Sequence, residues 1–250
     1  MKTSDSDNGL YPQVCEKAVN DNYFFENFKT NRDYNTILEH VSYDDGIRYL
    51  EIIKNKYPQL ISKFSEYQKN DSVGNPKTFD FENFGKFSPT TLRYVKVLGD
   101  LIEKFGNLDG MNIVEVGGGY GGQCKIILDT FKIQTYTIFD LPQVIKLQKK
   151  YLDRFNYPQN SIFFKTLDEE LSFTKIDLFI SNYAYTECIK EIRDMYFDKL
   201  ISFSSNGYMI ANQLSQKILE EEILNKIKNS KQYKEEPETC ESNSLIVWTK

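Results

Sequence analysis

A short β-branched run, Met111 to Val116, leads directly into five glycines within six residues, at positions 117–119 and 121–122. A chain can carry such a segment in few ways. The run reads as a buried strand, and the glycines form a turn in which no side chain blocks the backbone. Gly122 to Phe131 then reads as a helix, with Cys124, Ile127, Leu128 and Phe131 on one face. Strand, glycine turn and helix in that order are how an open α/β sheet presents backbone N–H groups at a strand's carboxyl end.

The rest of the carboxyl-terminal half keeps the same rhythm. Tyr136 to Phe139 reads as a second strand ending at Asp140, Ile162 to Lys165 as a third, Ile176 to Ser181 as a fourth and Tyr208 to Ala211 as a fifth. Helical stripes lie between them: Val144, Leu147, Tyr151 and Phe155; then Ile189, Ile192, Tyr196 and Leu200; then Leu219, Ile223 and Ile227. Two last strands, near 232–235 and 245–249, are separated by too short a gap for another crossover, which predicts a closing antiparallel hairpin. The expectation is an α/β, Rossmann-like, mostly parallel seven-stranded sheet with an antiparallel terminal hairpin. It divides the chain into a helical amino-terminal arm with a substrate-side loop, 1–107, and a ligand-binding domain, 108–250.

In the arm, residues 1–13 read as a frayed tail and the stretch to about 70 as helical, with His40 beside the stripe Ile37, Leu38 and Val41. Val73 to Phe87 has no clear period and reads as an ordered loop, held by Phe79, Phe81, Phe84 and Phe87. Ser88-Pro89 then opens a helix, with the serine as cap and the proline in the first turn, and Gly106 stops it. The aromatic cluster Tyr23, Phe24, Phe25 and Phe28 suits packing on the chain's own core or on a second subunit of a homodimer.

Composition narrows the function classes. With 40% hydrophobic residues in 250 the chain has material for a full core. A net charge of −5 argues against a nucleic-acid partner. No stretch reaches the ~20 apolar residues of a membrane span, and Met1 to Asn8 shows no secretory signal. Cysteines at 15, 124, 188 and 240 match neither a zinc knuckle nor a disulfide framework, so the reading is four reduced thiols in a cytoplasmic protein.

A nucleotide fits the glycine turn, because Asp140 at the next strand's end can accept two hydrogen bonds from ribose hydroxyls. Gly117, Gly119 and Gly122 satisfy the dinucleotide pattern G-x-G-x-x-G, which leaves a nicotinamide-dependent oxidoreductase open. Glu115 extends the turn to E-x-G-x-G-x-G, which resembles the first motif of class I S-adenosylmethionine (SAM)-dependent methyltransferases. The runs IVEVGGGYGGQCKIIL, YTIFDLPQVIKLQKKYL and DLFISNYAYTEC, with GNPKTFDFENFGKFSPTTLRY upstream, resemble the sugar O-methyltransferases of bacterial surface-polysaccharide gene clusters. The resemblance covers about residues 35–250. It implies that Gly117, Gly119 and Gly121 pass under the methionine part of SAM and that Glu115 organises its amino end. It further implies that Asp140 holds the ribose, Leu141 and Pro142 lie beside the adenine, Asp168 partners the adenine amino group, and Asn182 and Tyr183 border the sulfonium and the acceptor.

For a hydroxyl acceptor, such as a sugar or sugar nucleotide of capsule or lipooligosaccharide, a general base is needed. The candidates are His40, the only histidine, and Glu187 after the fourth strand, with Tyr183 and Tyr185 placed to hydrogen-bond the acceptor. Lys77, Lys86 and Arg93, among Ser88, Thr90 and Thr91, form a candidate phosphate clamp. An anionic phosphoryl or phosphoramidate acceptor needs no base and is the alternative. A non-catalytic scaffold with the same fold is a third reading. No metal site is expected, since Asp177 stands at the start of the fourth strand rather than after it and no carboxylate adjoins Asn182.

Overall fold

The computed structural model describes residues 3–4, 6–7, 9–158, 160–169, 175–212 and 214–250. The sheet has seven strands: β3 (Asn112–Val116), β4 (Thr135–Phe139), β5 (Ile162–Lys165), β6 (Ile176–Asn182), β7 (Ser204–Ala211), β8 (Lys231–Lys234) and β9 (Ser244–Thr249). Their order is β5-β4-β3-β6-β7-β9-β8. Pairing is parallel from β5 through β7, and antiparallel where β9 joins β7 and β8 joins β9. The expected Rossmann-like sheet and its closing hairpin are both present. β3, β4 and β6 are buried along nearly their whole length because helices cover both faces, which is why they read as unbroken apolar runs rather than alternating ones.

In the arm, α1 (Leu10–Asn20), α2 (Asn22–Phe25), α3 (Arg32–Asn35), α4 (Tyr43–Lys56) and α5 (Phe64–Tyr67) alternate with short 3₁₀ turns. The strands β1 (Phe79–Phe81) and β2 (Gly85–Phe87) follow, and α6 (Pro89–Phe105) leads into the sheet. Within the sheet domain lie α7 (Gly122–Leu128), α8 (Pro142–Leu152), α9 (Ala184–Glu187), α10 (Lys190–Lys199) and α11 (Gln216–Leu219), the last continuing into a π turn, Glu220–Leu224. α6 begins as its sequence specifies: Ser88 Oγ accepts from Thr91 N at 3.1 Å, Pro89 occupies the first turn, and Gly106 ends the helix at φ +75°.

Three expectations for the arm are corrected. Val73–Phe87 is not a loop throughout, since Phe79–Phe81 and Gly85–Phe87 pair as a hairpin, turned by Asn83 at φ +66°. Residues before 13 are not simply frayed: α1 starts at Leu10, Ser4 bridges to Cys188, and Ile189 N donates to Thr3 O at 3.0 Å. His40 lies on no helix, because α3 stops at Asn35 and Glu39 turns the backbone to φ +61°.

Arm and sheet share one hydrophobic core. It runs from Tyr11, Phe25 and Phe28 through Leu98 of α6 to Ile138 and Val247 in the sheet, while a second cluster around Phe139, Phe179 and Trp248 fills the opposite face. The aromatic cluster mostly turns inward: Phe25 and Phe28 are buried, and Tyr23 is left 83% exposed. Lys29 ties the halves together, its ammonium 3.8 Å from the Tyr120 ring centre and 3.0 Å from Asn70 O. Asn70 in turn donates to Tyr120 Oη at 2.9 Å and accepts from Tyr151 Oη at 2.6 Å. On α6, Asp100 accepts from Lys96 (2.7 Å), Tyr57 (2.8 Å) and Tyr208 of β7 (2.6 Å), so both oxygens of its buried carboxyl group are hydrogen-bonded.

A buried acid sits inside β3. Burial pushes the Glu115 carboxyl up to about 8, against the hydrogen bond it accepts from Tyr136 Oη at 2.9 Å. An acid whose folded pKa lies above its unfolded value removes stability as pH rises from the unfolded value through the folded one. Glu115→Gln keeps an acceptor for Tyr136 and carries no charge. Its melting temperature relative to wild type is expected to rise steadily from pH 5 to pH 8 in a calorimetric series. A difference independent of pH would mean Glu115 is not the titrating group.

Candidate active site

The sheet order reverses at β3, with β4 and β5 on one side and β6 and β7 on the other, so a crevice opens at the strands' carboxyl ends. A cavity of about 730 Å³ lies there, lined by the glycine turn, the ends of β4 to β7, the arm segment 37–49 and the loop between β8 and β9. Gly117 (φ +76°) and Gly119 (φ +55°) both line it. Their missing side chains make room for protein as well as cavity: a Cβ on Gly117 would lie 2.0 Å from that of Ala184, and one on Gly119 would lie 2.9 Å from Leu38 Cδ1.

On the β4–β5 side stand Asp140, Leu141 and Asp168. Asp140 is braced: Oδ1 accepts from Leu141 N at 2.9 Å and Oδ2 from Gln148 Nε2 at 2.8 Å. Burial pushes its carboxyl up to about 7, while those bonds and the Gly118 and Gly119 amides pull it down. Asp168 is exposed, and its carboxyl is held below the usual range first by a hydrogen bond with the Thr166 side chain. Asn182, at the end of β6, has a buried Oδ1 with no hydrogen-bond partner among the described residues. A lone buried acceptor on a cavity wall suits a ligand that brings a donor, such as an ammonium or a hydroxyl.

On the β6–β7 side stand Tyr183, Glu187 and Asn212, with His40, Tyr49 and Arg93 of the arm. Tyr183 follows β6 at φ +72°, and its hydroxyl donates to Glu235. Glu187 ends the short helix α9, where Oε1 accepts from Asn212 Nδ2 at 2.9 Å. The guanidinium of Arg93 lies 5.8 Å from the Tyr183 ring centre and 5.6 Å from that of Tyr94. His40 is at the rim; burial, then the charge of Arg93, hold its imidazole below its ordinary pKa.

The cavity therefore brings together Gly117, Gly119, Asp140, Leu141, Asp168, Asn182, His40, Arg93, Tyr183 and Glu187. Six sequence candidates lie elsewhere. Glu115 is buried against Tyr136, and Gly121 caps α7 with its α-carbon facing Leu152. Thr91 is buried, its hydroxyl donating to Asp71 Oδ1 at 2.7 Å, and the buried Tyr185 donates to Arg193 O at 3.3 Å. Lys77 lies over the Phe79 ring, and both it and Lys86 are exposed outside the cavity lining, so the clamp reduces to Arg93. Tyr11, Tyr49, Asn212 and the 239–243 turn line the cavity without a local sequence signal. Only the fold brings them there.

Comparison with known proteins bears on the fold. A family model described as an O-methyltransferase domain matches residues 87–171. Two curated rice (Oryza sativa subsp. japonica) proteins are similar over nearly half of the chain. One is named a probable inactive methyltransferase, at 31% identity over 46% of this chain; the other is named a caffeate O-methyltransferase-like protein, at 30% over 47%. The matches span only 29% and 32% of those proteins' lengths. Among solved structures, the methyltransferase domain of bacterial CtHen1 superimposes with a TM-score of 0.51 at 12% identity, covering 63% of this chain and 97% of that domain. The chain has the SAM-binding, Rossmann-like fold of class I methyltransferases.

Proposed function

We propose that this chain is a SAM-dependent O-methyltransferase acting on a sugar, a sugar nucleotide or a related precursor of bacterial surface polysaccharide. The observation that carries the reading is a cavity of about 730 Å³ that joins a nucleotide-type half, at the glycine turn and Asp140, to a half lined by His40, Arg93 and Glu187. The polysaccharide assignment rests on the sequence resemblance, and the choice of oxygen as acceptor also draws on the matching family model. The antiparallel β8–β9 hairpin favours the methyl donor over a nicotinamide.

In this reading Asp140 accepts from the ribose hydroxyls and Gly117 and Gly119 leave room for the methionine portion. The unpartnered Asn182 Oδ1 takes a donor of the ligand, and Leu141 and Asp168 border the adenine. When bound, SAM supplies a methyl carbon on a positively charged sulfur, which an acceptor oxygen attacks in line while the carbon–sulfur pair returns to sulfur. Alignment of the two partners then supplies much of the rate. Burial, then the charge of Arg93, lower the His40 pKa, which favours the neutral imidazole whose free nitrogen can take the hydroxyl proton. Glu187 is the second base, oriented by Asn212.

The test is transfer of labelled methyl from SAM to free, phosphorylated and nucleotide-activated sugars. With a hydroxyl acceptor, removing the working base, by His40→Ala or Glu187→Gln, is expected to lower kcat by roughly 10²–10⁴-fold. Full activity in the double variant would instead favour an anionic phosphoryl or phosphoramidate acceptor, a second reading supported by Arg93 in the lining. Binding of a reduced nicotinamide in place of S-adenosylhomocysteine would overturn both. Binding of S-adenosylhomocysteine without transfer to any acceptor would favour a non-catalytic role.

A further inference from the structure

The cavity lining contains one permanently cationic side chain among the described residues, Arg93 on α6. Its guanidinium faces the rings of Tyr94 and Tyr183 and has no carboxylate within 4.0 Å among the described residues. The neighbouring acids are committed to other partners. Asp45 pairs with Arg48 and accepts from Ser42 Oγ at 2.7 Å, and Glu187 accepts from Asn212. Glu235 accepts from Tyr183, from Thr239 Oγ1 at 2.5 Å and from Asn243 Nδ2 at 3.0 Å. Glu39 is within electrostatic reach, but burial pushes its carboxyl up and leaves Oε1 unpartnered. A partly buried guanidinium with no carboxylate paired to it within 4.0 Å is an unfavourable arrangement unless a ligand completes it. Its planar fork matches a carboxylate or a phosphoryl group in two parallel hydrogen bonds.

We propose that the acceptor carries an anionic group, a carboxylate or a phosphoryl, and that Arg93 is the residue that binds it. This deepens the methyltransferase reading and rests on it for the word acceptor, but the binding of the anion is testable alone. Neutral sugars leave the guanidinium with its tyrosine neighbours and no paired carboxylate. An anionic sugar or sugar phosphate completes it and is held by that contact on the β6–β7 side, beside His40 and Glu187.

The sole histidine makes the test direct. Because the charge of Arg93 depresses the His40 pKa, an anion seated on Arg93 offsets that charge and raises it. The imidazole is titrated by NMR in chloride, then with inorganic phosphate and with acetate at matched ionic strength. The expected result is an upward shift of about half a unit or more with at least one anion, absent in Arg93→Met, whose His40 titrates higher from the outset. A response to phosphate alone assigns a phosphoryl group, and a response to acetate alone a carboxylate. Should Arg93→Met fail to fold, Arg93→Lys is expected to keep the shift with about tenfold weaker apparent affinity. No shift beyond chloride in the wild type, or an undiminished shift in Arg93→Met, overturns the proposal. S-adenosylhomocysteine binding, measured on the same samples by calorimetry, reports separately on the methyltransferase reading.

Discussion

Gly117→Ala is expected to lose about 2–5 kcal/mol of folding stability and measurable binding of S-adenosylhomocysteine. Two independent effects add. At φ +76° an L side chain costs roughly 1–2 kcal/mol. The new methyl would also start 2.0 Å from Ala184 Cβ, an atom fixed to the backbone that cannot swing aside, and forced overpacking costs roughly 1–3 kcal/mol. Denaturant titration of the variant alone and combined with Ala184→Gly separates the two. The double variant is expected to recover the packing part and retain the backbone part. No recovery would mean that Ala184 is not the obstacle, and full recovery that the left-handed backbone costs nothing.

Asp140→Asn carries the second large effect, on binding of the donor product. Charge-assisted hydrogen bonds are worth about 1.5–3 kcal/mol each, so replacing the carboxylate is expected to weaken S-adenosylhomocysteine roughly 10- to 100-fold. The pH profile is the sharper check. Burial sets the carboxyl near 7, and only its ionised form offers both oxygens to the ribose hydroxyls. Wild-type affinity should therefore strengthen as pH rises toward 7, by up to about tenfold per unit, and level off above it. In Asp140→Asn the profile should be flat over that range. Equal affinity in both proteins at pH 8 would remove Asp140 from the ribose contact.

The parallel strands could be read in advance because each is an apolar run closed by a glycine, an acid or a polar turn. The β1–β2 hairpin could not. Its strands are three residues each, and Phe79-Asp80-Phe81 is too short for alternation to register. His40 was expected near a helical stripe, yet Glu39 takes a left-handed backbone there at φ +61°, a conformation that a glutamate in sequence does not signal. The nucleotide-type half of the cavity follows from residues close in sequence, Gly117 to Asp140. The other half is assembled from 37–49, Arg93, Asn212 and 239–243, segments whose only relation is three-dimensional. Lys77, Lys86 and Thr91 looked like partners of Arg93 because they are its neighbours in sequence. In space they point into solvent or into the Asp71 knot.

The continuous core from Tyr11 to Val247 bears on how this scaffold can be re-engineered. An arm that rested on the sheet through a polar seam could be exchanged as a module, delivering a new acceptor preference to an unchanged donor half. Here Lys29 sits under Tyr120 of the glycine turn, and Tyr57 and Tyr208 meet on one carboxylate of α6. A grafted arm would have to reproduce those buried contacts before it could bring a new specificity. Under the proposed function, variation in acceptor is then more readily reached through single side chains of the lining, His40 and Tyr49 among them, than through chimeras.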